Sequence, residues 1–166
     1  APGSLDELAR ITGKAKSSRG DFTASEDDNV LVQGVSRDVN ALGFFGFAYY
    51  EENRSKLRAV PIVNDKGVAV PPTTENVING SYNPLARPIF IYVNTKAAQR
   101  PEVKEFVEYY MKNGDKLARE VKYVPLPKKA YEYNLDVLAK MRKGTKFGGH
   151  NKVGLTIDEL MKLEAK

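Results

Sequence analysis

Five residues constrain this fold more than any others: Ile89-Phe90-Ile91-Tyr92-Val93. The run is unbroken, β-branched and aromatic. Strict alternation of apolar and polar residues would mark a strand with one wet face, whereas a continuous apolar run marks a strand covered on both faces. Such a strand needs layers on either side of its sheet, which points to an α/β architecture. Pro84 and Pro88 bracket Leu85-Ala86-Arg87 immediately upstream. The chain is expected to divide there, into residues 1–86 and 87–166.

The remaining elements follow from caps and periodicity. Ser4-Leu5-Asp6-Glu7 fits a capping box, and Leu5, Leu8 and Ile11 follow at helical spacing up to Gly13. Ser25, with Asp28 three residues on, predicts a second helix reaching Gly34 or Val35, with Glu26, Asp27 and Asp28 in its first turn. Ala41 to Phe45 reads as a short buried strand, in which Gly43 and Gly46 imply close backbone approach or positive φ. Phe47 to Asn53 reads as a helix. Leu57 to Val63 reads as a strand at a sheet edge, because of Pro61, and Asn64 to Gly67 as a turn. A short helix is expected to end at Asn79-Gly80. Pro101 opens a longer one, with Val103, Phe106, Val107, Tyr110 and Met111 as its buried stripe and Asn113-Gly114 as its end. Asp115 then caps another helix. Lys128 to Lys143 forms the next, and Thr156 with Glu159 a last capping box.

Composition excludes several kinds of chemistry. The chain has no Cys, so it has no disulfide, thiolate zinc site or Cys nucleophile. It contains no apolar run near the length of a membrane span. Beginning at Ala1, it reads as a processed or truncated product. The net charge of +5 comes from Lys and Arg dispersed among Glu and Asp. A nucleic-acid strip concentrates its charge, so no nucleic-acid partner is expected. Only Lys140 to Lys152 is densely basic, and Gly144, Gly148 and Gly149 make it a loop.

No residue set reads as catalytic. His150 stands alone in the Gly-rich loop, without a second His to share a metal. Ser17, Ser18 and Ser25 lack a nucleophile elbow. Glu26-Asp27-Asp28 lacks the spacing of a calcium loop, and a helix start explains it. Phe44, Phe45, Phe47, Tyr49 and Tyr50 read as core rather than as a base-stacking platform. There is no Walker-type phosphate loop. Accordingly no catalytic residue, metal or cofactor is expected.

Several segments, in order, closely resemble one family. TASEDDNVLVQGV followed by NALGFFGFAYYEEN looks like the second lobe of the periplasmic phosphate-binding protein of the bacterial high-affinity phosphate ABC transporter. PLARPIFIYVN looks like the strand that crosses back to the first lobe. RPEVKEFVEYYMKN, VKYVPLP and GTKFGGHNKVGLTIDEL are similar to the helices and tail that finish it. The resemblance runs from about Gly13 to Glu164 and covers the C-terminal half of such a protein.

The resemblance implies a type II periplasmic binding-protein-like α/β fold forming part of two lobes. Residues 1–86 would belong to the second lobe, and 87–166 would return to the first. It implies binding without catalysis, inorganic phosphate as ligand, a membrane permease and the missing N-terminal half as partners, and a periplasmic location. Family members carry a Ser-Gly-Thr-Phe-Asp stretch at a helix start, whose amides and hydroxyls hold phosphate. Here Pro2-Gly3-Ser4-Leu5-Asp6 corresponds, with Pro2 in place of the first Ser. The resemblance thus makes Gly3 and Ser4 the candidate phosphate contacts, while the plain reading of Ser4 is a helix N-cap. The family's upstream arginine and its first-lobe ligands, including a carboxylate, have no counterpart in the chain. The alternative to a binding component is a stand-alone interaction domain derived from a solute-binding protein, without phosphate affinity.

Overall fold

The computed structural model of the chain describes residues 13–14, 20–147 and 154–163. The helix expected from Ser4 lies outside them. The chain divides into two compact units, residues 1–72 and 73–166. This division falls ahead of the 86/87 boundary expected from the prolines, and the Pro-bracketed segment lies within the second unit.

In the first unit, α1 spans Asp28–Arg37. The Asp27 carboxylate caps it by accepting the Asn29 N–H at 2.9 Å. Asp28 in the first turn and Arg37 in the last suit the helix dipole. Ser25 was the expected start, but its hydroxyl instead accepts the Asp27 N–H at 3.1 Å, in a turn before the helix. α2 spans Phe47–Glu52 and packs against α1. β1 (Ile62–Val63) and β2 (Ala69–Val70) form an antiparallel hairpin, with Ile62 opposite Val70. Its turn works because Gly67 takes φ 74° and the Asn64 side-chain oxygen accepts the N–H groups of Lys66 and Val68, each at 3.0 Å. Val32, Ala48 and Val70 are the buried apolar residues of this unit.

The second unit begins with α3, Thr74–Ile78. A 3-10 turn at Ala97–Gln99 leads into α4, Pro101–Glu120. Asn113-Gly114 does not end this helix, and Asp115 starts no new one. The Asn113 amide donates to the Tyr109 carbonyl at 2.8 Å, and Asp115 pairs with Arg119 one turn on. α5 spans Lys128–Ala139 and stops short of Lys143. Met141 turns into the left-handed region at φ 49°, and the Arg142 N–H returns to the Val137 carbonyl. α6 spans Ile157–Lys162. α4 packs on both α5 and the 3-10 turn, and α5 packs on α6. Ala98, Val107, Met111, Ala130 and Leu160 are buried.

The largest departure from the sequence reading concerns strands. Ala41 to Phe45 forms none, and Leu57 to Val63 contributes only its last two residues. Ile89 to Val93 forms none either, although it carries the strongest strand pattern. The burial expected of these segments is also missing. Ile89 is 73% exposed and Tyr92 81%; Leu42 and Val60 are likewise exposed. The physical reason is that a strand is a property of a pair. These segments have apolar, β-favouring side chains but no neighbouring backbone among the described residues to pair with.

α4 shows the same deficit. Val107 and Met111 of its expected stripe are buried, whereas Phe106 is 66% exposed and Tyr110 41%. Among the described residues, no large side chain is fully buried.

Candidate functional site

Gly3 and Ser4, the two candidate phosphate contacts, lie outside the described residues, as does His150. The site is therefore approached through the other polar clusters and helix starts, which are the places where a fold can offer oriented donors to an oxyanion.

In the first unit, Asp28 links the starts of α1 and α2. Its Oδ2 accepts the Gly46 N–H at 3.3 Å, while its Oδ1 is shielded from solvent with no hydrogen-bond partner. Gly43 is required here. An added Cβ would sit 2.5 Å from Val35 Cγ2 and 2.9 Å from the Phe45 ring. The close approach inferred for Gly43 is thus present, whereas Gly46 has φ −63° and ordinary backbone. Glu26, Asp27 and Asp28 together place negative charge at this helix start. An incoming phosphate would meet that charge, and the amide it would need is already taken by Asp28. The described residues contain no cluster of three or more metal-ligating side chains. The nearby aromatic set is only partly buried. Phe44 is 39% exposed, and Phe47 and Tyr50 lie tilted at 6.3 Å.

In the second unit, the starts of α3 and α6 are already occupied. The Thr73 hydroxyl accepts the Asn76 N–H at 3.2 Å. Thr156 and Glu159 form the full capping box predicted from sequence. Glu159 Oε2 accepts the Thr156 N–H and hydroxyl, each at 2.8 Å, and Thr156 Oγ1 accepts the Glu159 N–H at 3.2 Å. The Thr156 backbone N–H, then its hydroxyl, hold the Glu159 carboxyl below its ordinary value of 4.5. Asp115 and Asp136 are also held low, chiefly by hydrogen bonds from Arg119 and Lys140 respectively.

These three carboxylates share one sign of linkage. A folded-state pKa below the unfolded value gives stability that is present above the unfolded pKa and lost as pH falls through the folded pKa. The second unit is expected to weaken below about pH 4.5, the ordinary value of Glu159. Urea denaturation across pH 7 to pH 3 measures this, and Glu159→Gln should flatten part of the loss. Thr156→Ala should cost about 1 kcal/mol at neutral pH through the lost cap. Its Glu159 carboxyl should still titrate low, because the leading donor is backbone.

The described part of the basic stretch, residues 140–147, contributes ion pairs and a staple. Arg142 pairs with Asp136. Lys146 Nζ donates to the Tyr133 hydroxyl at 2.5 Å and to the Leu163 and Met161 carbonyls at 2.6 and 3.3 Å. Lys146 also lies 4.7 Å from the centre of the Tyr133 ring. Sequence reading missed this role for Lys146. Nothing in the dense basic stretch Lys140 to Lys152 sets Lys146 apart from its neighbours; the indirect signal is a short C-terminal helix with no glycine cap of its own.

Tyr82 is half-buried, which raises its hydroxyl pKa. It sits in a polar turn where Ser81 bonds Asn76, and Asn83 donates to the Gly154 carbonyl. Ser81 is satisfied within the turn, whereas Asn83 ties the turn to the segment just before α6. The α1, α3 and α6 starts are thus occupied by their own side chains, while those of α4 and α5 follow Arg100 and Pro127 with no side-chain cap.

Comparison with known proteins gives the chain its context. No family model matches it. It is 51% identical over 162 residues to Protein SphX of Synechococcus elongatus, covering 98% of this chain and 48% of that protein. It is 47% identical to Protein SphX of a Synechocystis species, covering 93% of this chain and 46% of the relative. The Phosphate-binding protein PstS of Staphylococcus haemolyticus is 38% identical over 118 residues, covering 70% of this chain and 37% of the relative. Among solved structures, a possible phosphate binding protein from Planctomyces limnophilus aligns with a TM-score of 0.66 at 47% identity. That match covers 85% of this chain and 51% of the other. The chain spans about half the length of the curated relatives it matches. Its fold is the α/β fold of a periplasmic binding protein, type II-like, represented here as part of two lobes.

Proposed function

We propose that this chain is the phosphate-binding component, or the C-terminal portion of one, of a bacterial phosphate ABC transporter. In this reading it captures inorganic phosphate in the periplasm and delivers it to a membrane permease, without catalysis. The observation that carries the reading is likeness along 98% of the chain to one relative, together with likeness to proteins named for phosphate binding. Residues 1–86 form part of the second lobe in this reading, and residues 87–166 return to the first. Gly3 and Ser4 contribute amides and a hydroxyl to the oxyanion, and the remaining donors come from the half that this chain does not span.

The physical argument concerns desolvation. Burying phosphate strips a strongly hydrated anion of water, which is tolerable only when many oriented donors replace that water. The starts of α1, α3 and α6 are capped by Asp27, Thr73 and Thr156, and the uncapped starts of α4 and α5 are single helix ends, each only part of a cage. The chain alone is therefore expected to bind phosphate no tighter than about millimolar, a regime of a few solvent-exposed contacts. Titration calorimetry with inorganic phosphate at low ionic strength measures this. Joined to the complementary half, the same chain should bind at micromolar or better. A complemented protein that folds yet ignores phosphate would leave the interaction-domain reading in its place.

A further inference from the structure

We propose that Asn79-Gly80 is a site of spontaneous covalent modification, where the chain converts its own asparagine to aspartate and isoaspartate and thereby loosens α6. The proposal is independent of the phosphate reading and concerns the second unit alone.

The reaction needs an electrophile, a nucleophile and room for them to meet. The electrophile is Asn79 Cγ. Asn79 is exposed at the end of α3. Its Oδ1 accepts the Ser81 N–H at 2.9 Å. That bond folds the side chain over the Gly80 peptide and draws electron density from Cγ. The same N–H is placed to stabilise the oxyanion formed on attack. The nucleophile is the Gly80 backbone nitrogen. Its N–H donates to the Val77 carbonyl at 3.3 Å, longer than an ordinary amide hydrogen bond. No Cβ at residue 80 obstructs the approach. α3 has only five residues, so its last turn opens at little cost.

The step balances with water as the only co-reactant. The Gly80 nitrogen gives up its proton to solvent and bonds to Asn79 Cγ. The Cγ–Nδ2 bond breaks and ammonia leaves. The cyclic succinimide then takes up water at either of its carbonyls. Opening at one gives aspartate. Opening at the other gives isoaspartate, in which the main chain runs through the side chain and is longer by a methylene.

The chain carries its own contrast in Asn113-Gly114. That pair lies inside α4, where Gly114 is buried and the Asn113 amide donates to the Tyr109 carbonyl at 2.8 Å. The sequence makes the two pairs alike, and the fold separates them. The consequence at Asn79 reaches α6 through Gly80. Gly80 takes φ 78°, and a Cβ there would lie 2.8 Å from Thr156 Cγ2. Packing thus demands the glycine that makes the asparagine reactive. The turn sits against the α6 capping box, and Asn83 bonds the Gly154 carbonyl just before it. An inserted methylene displaces Gly80 against Thr156. The new carboxylate also places negative charge at the C-terminal end of α3, where the dipole disfavours it.

The test incubates the folded 166-residue chain at neutral pH, beside the same chain in urea, and follows both by peptide mass analysis. Asn79 should convert in the folded chain within about tenfold of its rate in urea, whereas folding should slow Asn113 by about 30-fold or more. The Asn79 rate should rise with pH, by up to about tenfold per unit, because the attacking form is the deprotonated amide. Aspartate and isoaspartate products are separated by chromatography. In the isoaspartate fraction, amide exchange at Leu160 to Lys162 should quicken about tenfold, while Val107 and Met111 keep their protection. Asn79→Asp carries the charge without the extra methylene and should reproduce only a minor part of this change. Asn79→Gln should keep α6 protected through the same incubation. If Asn79 stays an amide in the folded chain while it converts in urea, the proposal is overturned. Equal conversion of Asn79 and Asn113 in the folded chain overturns it as well. Isoaspartate formed from Asn79 with unchanged exchange in α6 overturns the coupling to that helix.

Discussion

Gly114→Ala is expected to destabilise the chain by about 1–2 kcal/mol, although the same change in an ordinary helix would stabilise it. Gly114 lies inside the 20-residue helix α4 and is buried. Glycine in a helix interior costs about 1 kcal/mol relative to alanine, through backbone entropy, so its presence there asks for a reason. The reason is Tyr131 on α5. A Cβ at residue 114 would lie 2.3 Å from Tyr131 Cε1 and 2.8 Å from Cζ. The ring has little room to yield. It is held at its far end, where the Tyr131 hydroxyl accepts the Leu126 N–H at 3.2 Å, and burial raises its pKa. Overpacking of this kind costs about 1–3 kcal/mol, which outweighs the propensity gain.

Thermal and urea denaturation should show the loss, with Tm falling by about 4–8 °C per kcal/mol in a unit of this size. The decisive measurement is the double change with Tyr131→Leu. Once the ring is gone, Gly114→Ala should become neutral or stabilising, a coupling of at least about 1 kcal/mol. A stabilising Gly114→Ala in the otherwise unchanged chain would mean that Tyr131 does not pack against the helix there.

Gly114 also shows where sequence reading reached its limit. Asn113-Gly114 followed by Asp115 has the form of a helix end and a new cap. That local signal is overridden by packing, because Gly is needed for close approach between helices rather than for a turn. Local chemistry was legible wherever it is self-contained. The Thr156–Glu159 capping box, Pro101 at the first helical position and the Asn64 to Gly67 turn all depend on residues within a few positions of one another.

The strands were not legible in the same way. The apolar patterns at Ala41–Phe45 and Ile89–Val93 are real, but pairing depends on backbone elsewhere, and no described part of this chain supplies it. The candidate site failed for a related reason. An oxyanion cage gathers donors from several elements, so its individual members carry little signal. Gly3 and Ser4 were reached only through a family resemblance. Their surroundings at the chain's start fall outside the described residues, and of the described helix starts those of α1, α3 and α6 already hold their own side-chain caps.

Lys146→Met is expected to detach α6 while leaving the α4–α5 packing in place. α6 has only six residues, too few to be stable through its own hydrogen bonds. It is held at its N-terminal end by the capping box and by the ion pair of Asp158 with Lys129 at 2.6 Å. In its middle, Leu160 is buried. At its C-terminal end no glycine cap is present, and Lys146 takes that part by donating to the Met161 and Leu163 carbonyls. The same ammonium is anchored to α5 through the Tyr133 hydroxyl and ring. A cation at a helix C-terminus is favoured by the dipole, and a hydrogen bond to a charged group contributes about 1.5–3 kcal/mol net.

Methionine keeps the aliphatic stem but removes all three donations, leaving the two carbonyls to water. The expected cost is about 2–3 kcal/mol, concentrated in α6. Hydrogen exchange distinguishes this from general destabilisation. Amides at Leu160 to Lys162 should lose protection, whereas those at Val107 and Met111 in α4 should keep theirs. Tyr133→Phe should reproduce a smaller part of the loss, since the ring and both carbonyl bonds persist. If protection falls equally in α4 and α6, the helices form one cooperative block and Lys146 is not a local staple.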